Sequence, residues 1–381
     1  MKETETFHEP RWSTISRMIL KSTLAAALLA LATASFAQEA TMSVKEYDPK
    51  STLVVPEHPT PRSKYPFIDV HNHQEHDVDA AEAAQIVKAM DAMNMAVMIN
   101  LSGGSGELLR RRMVMLQGRY PGRFMTFANI DFTGIDEPGF GERAAKQLEA
   151  DVRAGAQGLK IFKNLGMFVT DSKGQRVRTD DPRLDLIWEK AGELGIPVLI
   201  HTGEPGSFWL PVDRHNERWL ELTELPQRRR SDPRFASFEQ TMEEQHNVFR
   251  KHPRTKFIAA HLDWLGNDLA RLGKLLDEMP NVYTELAAVL YELGRQPRAA
   301  RAFLIKYQDR VMIGKDTWAP DEYPVYFRVL ETEDEYFDYY RKRHAFWKMY
   351  GLGLPDEVLR KIYYENALRL LPHIDRSLFP K

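Results

Sequence analysis

The sequence FIDVHNH at residues 67–73 ends a short apolar run with two histidines that are separated by one residue. On an extended strand, neighbours at i and i+2 point to the same side, so His71 and His73 present both imidazoles to one point. A metal ion uses such a pair, whereas a packed core does not need it. The segment therefore predicts a buried strand with two metal ligands at its end.

Similar short apolar runs recur along the chain, at 67–73, 96–101, 124–130, 157–162, 197–202, 256–262, 282–287 and 311–316. Segments with helical periodicity lie between them, for example 81–93, 142–153, 182–194, 238–251, 268–279 and 298–307. Eight alternations of buried strand and helix predict a closed parallel (β/α)8 barrel of the TIM-barrel type. C-terminal helices are expected to pack on it.

An open, doubly wound sheet alternates in the same way and is the competing fold. The dinucleotide-binding version of that fold needs a glycine-rich phosphate turn after its first strand, and none follows residue 73. The glycine-rich stretch SGGSG at 102–106 lacks the required pattern and is interpreted as a flexible barrel loop.

Composition narrows the function classes. The 381 residues are 43% hydrophobic with a net charge of -2, so no global charge favours nucleic acid or an anionic membrane. The chain has no cysteine, which excludes disulfides, thiolate zinc sites and cysteine nucleophiles. Any bound metal must therefore use histidine and carboxylate ligands.

The N-terminus resembles a secretory signal peptide. Basic residues precede an apolar stretch at 22–36, and small residues follow, with cleavage expected after Ala37. Met18 is an alternative start, and an uncleaved anchor is the competing interpretation. We therefore expect a signal peptide at 1–37, no stable membrane span after cleavage, and a periplasmic or secreted protein.

Three further regions are distinguished by their composition. Residues 38–66 are proline-rich and are expected to form an extended segment before the barrel domain at 67–381. The connection at 203–235 is long, aromatic and basic, and we expect it to cover the substrate, with a short helix at 217–224. Residues 323–381 show aromatic side chains at helical spacing and predict helices on the barrel's outer face.

Polar residues end the predicted strands, which is where TIM barrels place their active sites. They are His71, His73, Lys160, His201, His261, Glu285 and Asp316. Four histidines and an aspartate at strand ends are unlike isolated core histidines and predict one catalytic cluster. The other histidines lack this placement and are interpreted as non-ligands, namely His8, His58, His76, His215, His246, His252, His344 and His373.

These motifs resemble the amidohydrolase superfamily, in particular the amidohydrolase-related (family 2) group that includes aminocarboxymuconate-semialdehyde decarboxylase. The resemblance covers residues 66–371 and rests on IDVHNH (68–73), IHTG (200–203), AHL (260–262), IGKDT (313–317) and YENALRL (364–370). The eighth-strand pattern of that family has a small residue where Lys315 stands here, which changes the local charge.

The resemblance implies a ligand set and roles. His71, His73 and His201 would bind one divalent metal, with Asp316 as a fourth ligand or as the base beside it. Zinc is expected, and manganese, iron or cobalt would fit the same donors. The metal would acidify a water molecule, and His261 would act as a catalytic residue outside the ligand set.

Lys160 leaves an alternative open. Binuclear relatives carbamylate a lysine on the fourth strand to bridge two metals, whereas an unmodified Lys160 would bind a substrate carboxylate; one metal is favoured. Glu204 and Glu285 are weaker candidates for substrate contact, as is Lys163, with structural ion pairing as the alternative.

Three functions compete. The favoured one is hydrolysis of an ester, lactone or amide carbonyl by metal-activated water. The second is metal-dependent non-oxidative decarboxylation of a small carboxylic acid, and the third is a non-catalytic binding protein, which would predict a damaged ligand set. The substrate is expected to be a small molecule, and Lys315 and residues 228–230 suggest that it is anionic, with a solvated basic run as the alternative. Many members of the resembled family are dimers, so a homodimer is expected.

Overall fold

The computed structural model describes residues 42, 43, 45–344 and 347–380. The predicted signal peptide at 1–37 lies outside the described residues. The chain divides after Val54 into two units, and the barrel belongs entirely to the second unit. In the part of the chain that the structure describes, no helix has the length and apolarity needed to cross a membrane.

The barrel wall consists of parallel strands that follow one another in chain order. The strands are β1 (Phe67–His73), β2 (Met95–Asn100), β3 (Phe124–Asn129), β4 (Gly158–Ile161), β5 (Val198–Ile200), β6 (Phe257–Ala259), β7 (Val282–Glu285), β8 (Val311–Met312) and β9 (Asp316–Thr317). Most of their residues are fully buried, as expected of strands that are covered on both faces.

The eighth strand of the barrel is split, and its two halves close the ring. Val311 and Met312 pair with β7, whereas Asp316 and Thr317 pair with β1. Between the halves, the amide of Val70 donates to the carbonyl of Ile313 at 3.1 Å. The predicted closed (β/α)8 barrel is therefore confirmed. An open sheet is excluded because β8 and β9 belong to one segment, 311–317, which pairs with β7 on one side and with β1 on the other.

Helices cover the outside of the barrel. They are α1 (Ala80–Met93), α2 (Gly106–Met113), α3 (Phe140–Arg153), α4 (Asp185–Leu194), α5 (Trp219–Glu224), α6 (Phe238–Lys251), α7 (Leu269–Glu278), α8 (Leu290–Gly294), α9 (Pro297–Lys306), α10 (Tyr323–Glu331), α11 (Asp356–Arg360) and α12 (Asn366–Leu370). Side-chain caps fix several starts: Asp79 accepts from the amides of Ala81 and Glu82, and Ser237 accepts from the amide of Gln240.

The long connection after β5 contains the expected short helix, α5, and two single turns at Gly206–Trp209 and Pro226–Arg228. The expected helices after residue 323 are present as α10, α11 and α12, but they do not fill the whole region. Residues 332–344 and 347–355 carry no helix, and Phe337 instead forms an antiparallel bridge with Met349. The aromatic spacing was misleading here because an irregular segment, and not a helix, packs these side chains together. The rings of Tyr339 and Tyr340, for example, are tilted against each other with centroids 4.1 Å apart.

Candidate active site

Two histidines and one aspartate converge where β1 meets the second half of the eighth strand. The Nε2 atoms of His71 and His73 are 3.2 Å apart, and each lies 3.5 Å from Oδ1 of Asp316. His71 is fully buried, whereas the Asp316 side chain is 27% exposed. Residues 245 positions apart thus form one cluster of metal-ligand type, with its ligand atoms within 4.8 Å of one another.

The hydrogen bonds of these rings show which nitrogens carry lone pairs. Nδ1 of His71 lies 2.9 Å from a carboxylate oxygen of Glu285, which accepts a proton, so Nε2 of a neutral His71 is unprotonated. His73 is held at Nδ1 by Ser102 Oγ, at 2.8 Å. With Ser102 as the acceptor, two Nε2 lone pairs face each other at 3.2 Å, an arrangement that a metal ion or the Lys160 ammonium, 3.4 Å from Nε2 of His71, would stabilise. Two imidazoles and a carboxylate are also the donor set that divalent metals bind. The residues present therefore fit a divalent metal.

A second pair of rings is oriented by the backbone. Nδ1 of His261 lies 2.7 Å from the carbonyl of Ala287, which can only accept, so Nε2 of a neutral His261 is an acceptor. That atom lies 3.2 Å from Nδ1 of His201, which must then donate. Nε2 of His201 is left as a buried acceptor without a hydrogen-bond partner. His201 lies outside the group formed by His71, His73 and Asp316, and its role as third ligand stays a prediction.

Burial keeps the imidazoles neutral. It lowers the pKa values of His71 and His201 well below their usual range and that of His73 to about 3, and the nearby ammonium of Lys160 acts in the same direction. Neutral imidazole is the form that binds metal ions. The cluster is thus prepared to bind a cation at neutral pH.

Lys160, from β4, is fully buried beside this cluster. Its Nζ lies 3.4 Å from Nε2 of His71 and 5.4 Å from the centre of the Phe162 ring. Burial lowers the pKa of Lys160 to about 7, against the opposing attraction of Asp316 and Glu285. A substantial neutral fraction is compatible with carbamylation, and the charged fraction is compatible with binding a carboxylate.

Glu285, at the end of β7, is buried beneath the cluster. Besides its contact with the His71 ring, it accepts hydrogen bonds from the backbone amides of His261 at 2.7 Å and Ala287 at 2.5 Å. Burial raises its pKa despite these donors. These contacts orient His71 and the segment that carries His261. Direct contact of Glu285 with substrate remains a prediction.

Asp69 is a site residue that strand-end reasoning missed. Its carboxylate accepts from the amides of His71 at 3.0 Å and Lys315 at 3.2 Å and from the hydroxyl of Tyr323 at 2.5 Å. It therefore ties β1 to the segment that carries Asp316. Its position was visible in the sequence, because an acidic residue inside an apolar strand needs buried donors. Burial raises the pKa of Asp69 to about 6.

An unusual left-handed turn follows β6. Residues 261–264 have φ values of 59°, 53°, 56° and 51°, and none is glycine. Left-handed conformation costs such residues roughly 1–2 kcal/mol each. The turn places the ring of Trp264 parallel to that of His261, with centroids 4.5 Å apart. Backbone strain is thus concentrated at the site. The ring of His201 also lies near Trp264, with ring centroids 5.7 Å apart.

The long connection after β5 is attached to the site by an ion network around Glu204, which is 1% exposed. Its carboxylate binds Lys163 Nζ at 2.7 Å, Arg228 Nη2 at 3.0 Å and Arg230 Nη2 at 3.5 Å. Arg228 also pairs with Glu221 of α5. The structure thus shows Glu204 surrounded by cations of this chain, and its predicted contact with substrate stays a prediction.

Lys315 is buried and has an acidic partner of its own. Its ammonium pairs with Glu322 and lies 5.1 Å from the centre of the Tyr340 ring. Arg341 binds the same Glu322 carboxylate at 2.9 Å and Thr317 Oγ1 at 2.8 Å. The charge of Lys315 is therefore matched within the protein, and it no longer argues for an anionic substrate.

Comparisons with known proteins agree with this architecture. An uncharacterised TIM-barrel protein from Bordetella bronchiseptica is 16% identical, with 81% of this chain and 99% of that chain covered and a TM-score of 0.53. A putative amidohydrolase from Staphylococcus aureus is 16% identical, with coverage of 80% and 99% and a TM-score of 0.51. A dihydroxybenzoic acid decarboxylase from Polaromonas sp. JS666, solved with manganese and the inhibitor 2-nitroresorcinol, is 15% identical, with coverage of 82% and 99% and a TM-score of 0.52.

At these identities, the three structures support the fold alone. A comparison with curated protein sequences finds no match. The sequence profile of the amidohydrolase family, however, matches residues 56–373, which include every residue of the cluster described above. The match extends over well more than half of the chain and covers the whole barrel. The chain therefore belongs to the amidohydrolase family, whose members are metal-dependent enzymes that act on small molecules.

Proposed function

We propose that this protein is a metal-dependent hydrolase that cleaves an ester, lactone or amide bond in a small molecule. One divalent ion, most simply zinc, would be held by His71, His73 and Asp316, with His201 as a further ligand. The observation that carries the proposal is the pair of Nε2 atoms 3.2 Å apart beside the Asp316 carboxylate. Each nitrogen belongs to a ring that burial keeps neutral.

The bound ion would acidify a water molecule and polarise the substrate carbonyl. Asp316 is the most exposed member of the cluster, so its carboxylate can accept a proton from water and return it to the leaving group. His261 is held by Ala287 and Glu285, and its Nε2 orients His201. Lys163, with a side chain 36% exposed, is placed to attract an anionic group of the substrate.

Metal content tests the ligand set. Purified protein is expected to contain about one equivalent of divalent metal by elemental analysis, and the variants His71→Asn and His73→Asn are expected to lose most of it. His373→Asn, which changes an exposed histidine, is the matched control and should retain the metal. Full metal occupancy in both cluster variants would refute this site.

The reaction type needs a separate measurement, because decarboxylation would use the same residues. A panel of lactones, aryl esters, amides and aromatic acids is incubated in water labelled with oxygen-18. Hydrolysis predicts incorporation of the label without release of carbon dioxide. Release of carbon dioxide without label in the product would establish the decarboxylase alternative instead.

A second metal is the alternative arrangement, and one observation favours it. His71, His261 and Glu285 form a second group whose ligand atoms lie within 4.8 Å of one another, and Lys160 Nζ lies 3.4 Å from Nε2 of His71. Two equivalents of metal together with a carbon-13 carbamate signal after incubation in labelled bicarbonate would establish a bridged pair. One equivalent without that signal supports the single-metal site.

We also propose export and self-association on the basis of the sequence. N-terminal sequencing of the mature protein should begin at Gln38, and the protein should appear in the periplasmic or culture fraction. Full-length protein in the cytosolic fraction would contradict export. Light scattering of the purified protein should give twice the monomer mass if the expected homodimer forms, and the monomer mass otherwise.

A further inference from the structure

The left-handed turn at 261–264 is held from outside by a buried carboxylate. Asp263, in the middle of the turn, is 1% exposed. One of its oxygens lies 2.5 Å from Nε2 of Gln245, and the other lies 2.6 Å from Nε2 of His246. Both partners belong to α6 and are themselves buried. The turn is therefore attached to the adjacent helix by two side-chain hydrogen bonds.

The ends of the turn are fixed independently. The amide of His261 donates to Glu285, and the amide of Leu265 donates to the carbonyl of Leu262 at 2.9 Å. Neither bond determines the direction of the residues between them. These residues adopt a conformation that non-glycine residues avoid, so it persists only where surrounding contacts enforce it. Asp263 supplies the side-chain contact at the centre of this segment.

We propose that Asp263 is a positioning residue for the active site, acting through the turn that carries His261 and Trp264. Its hydrogen bonds to α6 hold four successive residues in the left-handed conformation. That conformation stacks Trp264 on His261 and leaves the buried indole nitrogen of Trp264 without a hydrogen-bond partner. The His261 ring, in turn, contacts His201. His246 is accordingly the partner of Asp263 and lies outside the ligand cluster.

Substitutions separate positioning from general stability. Asp263→Ala removes both hydrogen bonds, and His246→Phe removes one donor while keeping a buried ring. Asp263→Asn keeps an acceptor, and asparagine tolerates the left-handed conformation, so it should rescue most of the effect. The matched control is Asp268→Ala. Asp268 is exposed, lies four residues after the end of the turn and caps the start of α7.

Crystal structures of the variants give the decisive readout, and they do not depend on any assumed substrate. In Asp263→Ala and His246→Phe, we expect at least one residue of 261–264 to leave the left-handed region and the His261 ring to move by about 1 Å or more. In Asp268→Ala and Asp263→Asn, the turn should be unchanged. An unchanged turn in both Asp263→Ala and His246→Phe would overturn the proposal. If Asp263→Ala does not fold, His246→Phe alone decides.

Kinetics provide a second readout, which rests on the proposed hydrolase function. With any substrate found by the panel, Asp263→Ala should lower kcat about tenfold or more and change KM by less than about twofold. Asp268→Ala should lower Tm without lowering kcat. If kcat falls equally in Asp268→Ala, the role of Asp263 is structural only and the proposal is overturned. Absence of any hydrolysis in the unmodified protein would refute the proposed function and leave the crystallographic test intact.

Discussion

Glu285 is a buried carboxylate that orients two histidines of the cluster. One oxygen binds the His71 ring and the His261 amide, and the other accepts the Ala287 amide. The ring of a metal-binding histidine commonly donates its second N–H to such a carboxylate, which fixes the tautomer and strengthens the ligand. Gly314 allows this packing, because a Cβ at that position would lie 2.5 Å from Glu285 Oε2 and 2.9 Å from Cβ of His71.

Glu285→Gln is therefore expected to weaken metal binding by about 10- to 100-fold, the usual cost of losing such a partner. Only one of the two carboxylate positions keeps an oxygen in glutamine, so its NH2 group must face a donor, either the Ala287 amide or the His71 ring and the His261 amide. Zinc affinity is measured by competition with a chelator. Glu292→Gln, which changes a buried carboxylate outside the cluster, is the control. Equal affinity in Glu285→Gln and the unmodified protein would contradict this assignment.

Asp316→Asn isolates proton transfer from metal binding. The asparagine oxygen can still contact a cation, but the side chain no longer accepts a proton. We expect turnover to fall by about 10²- to 10⁴-fold, the range typical of a lost general base, with metal content largely retained. Elemental analysis and kcat on the same preparation check both parts. Unchanged turnover would remove Asp316 from the mechanism.

At the scale of elements, ion pairs hold the connection after β5 against the barrel. Glu204, near its start, binds Lys163 at the end of β4 as well as Arg228 and Arg230. Three cations surround one buried carboxylate, which leaves an excess of positive charge. Part of the Arg228 charge is matched by Glu221. Lys163 is the most exposed cation of this group, so an incoming anion would reach it first.

Lys163→Met should consequently raise KM for an anionic substrate about tenfold and leave KM for a matched neutral ester within about twofold. Lys163→Arg preserves the charge and should restore most of the affinity for the anion. Paired kinetics on an acid and its methyl ester make the comparison. An equal rise in KM for both substrates would mean that Lys163 only holds the loop in place.

The strands and most helices were predictable from the sequence because burial on both faces leaves an apolar run and helices leave a 3.6-residue period. Phe238–Lys251 has the predicted bounds. The split in the eighth strand was not predictable, because it depends on a positive φ of 82° at Asp316 and on the close packing at Gly314. The left-handed turn at 261–264 was equally hidden, since its sequence contains no glycine and its stabilising partners lie on α6.

The candidate site shows the same division. The strand-end rule identified His71, His73 and Asp316, which the structure brings together. The rule also selected Glu285. It did not predict that the Glu285 carboxylate lies buried behind the His71 ring, because that position depends on the register of the strands. Ser102, which holds His73, lay in a stretch interpreted only as a loop. Asp69 did leave a signal, as an acidic residue inside an apolar strand, whereas Asp263 acts through contacts with another element, α6, and these leave no local pattern.

For the whole molecule, buried neutral histidines make stability depend on pH. His344 lies outside the cluster and is 5% exposed. Burial, together with Arg218 and Arg341, lowers its pKa to about 2. The unfolded chain protonates this histidine below about pH 6.5, whereas the folded protein does not. Its contribution to stability is thus fully present above pH 6.5 and is lost progressively as the pH falls toward 2.

At pH 5, His344 should therefore cost about 2 kcal/mol of folding stability relative to pH 7.5. His344→Gln is expected to reduce the difference in the free energy of unfolding between these two pH values by about that amount. Chemical denaturation at both pH values measures it, with His373→Gln, a change at an exposed histidine, as control. The same pH difference in His344→Gln and the unmodified protein would contradict the prediction.

The pairing of β1 with the split eighth strand has a consequence for biosynthesis. Val70 and Ile313 are joined by a backbone hydrogen bond across 243 positions, so a nascent chain shorter than about 317 residues leaves both β1 and β7 with unpaired edges. Such edges invite association with other chains. Asp316 also emerges from the ribosome long after His71 and His73. At the proposed metal site, the ion would therefore acquire its carboxylate ligand only after translation of the barrel is complete.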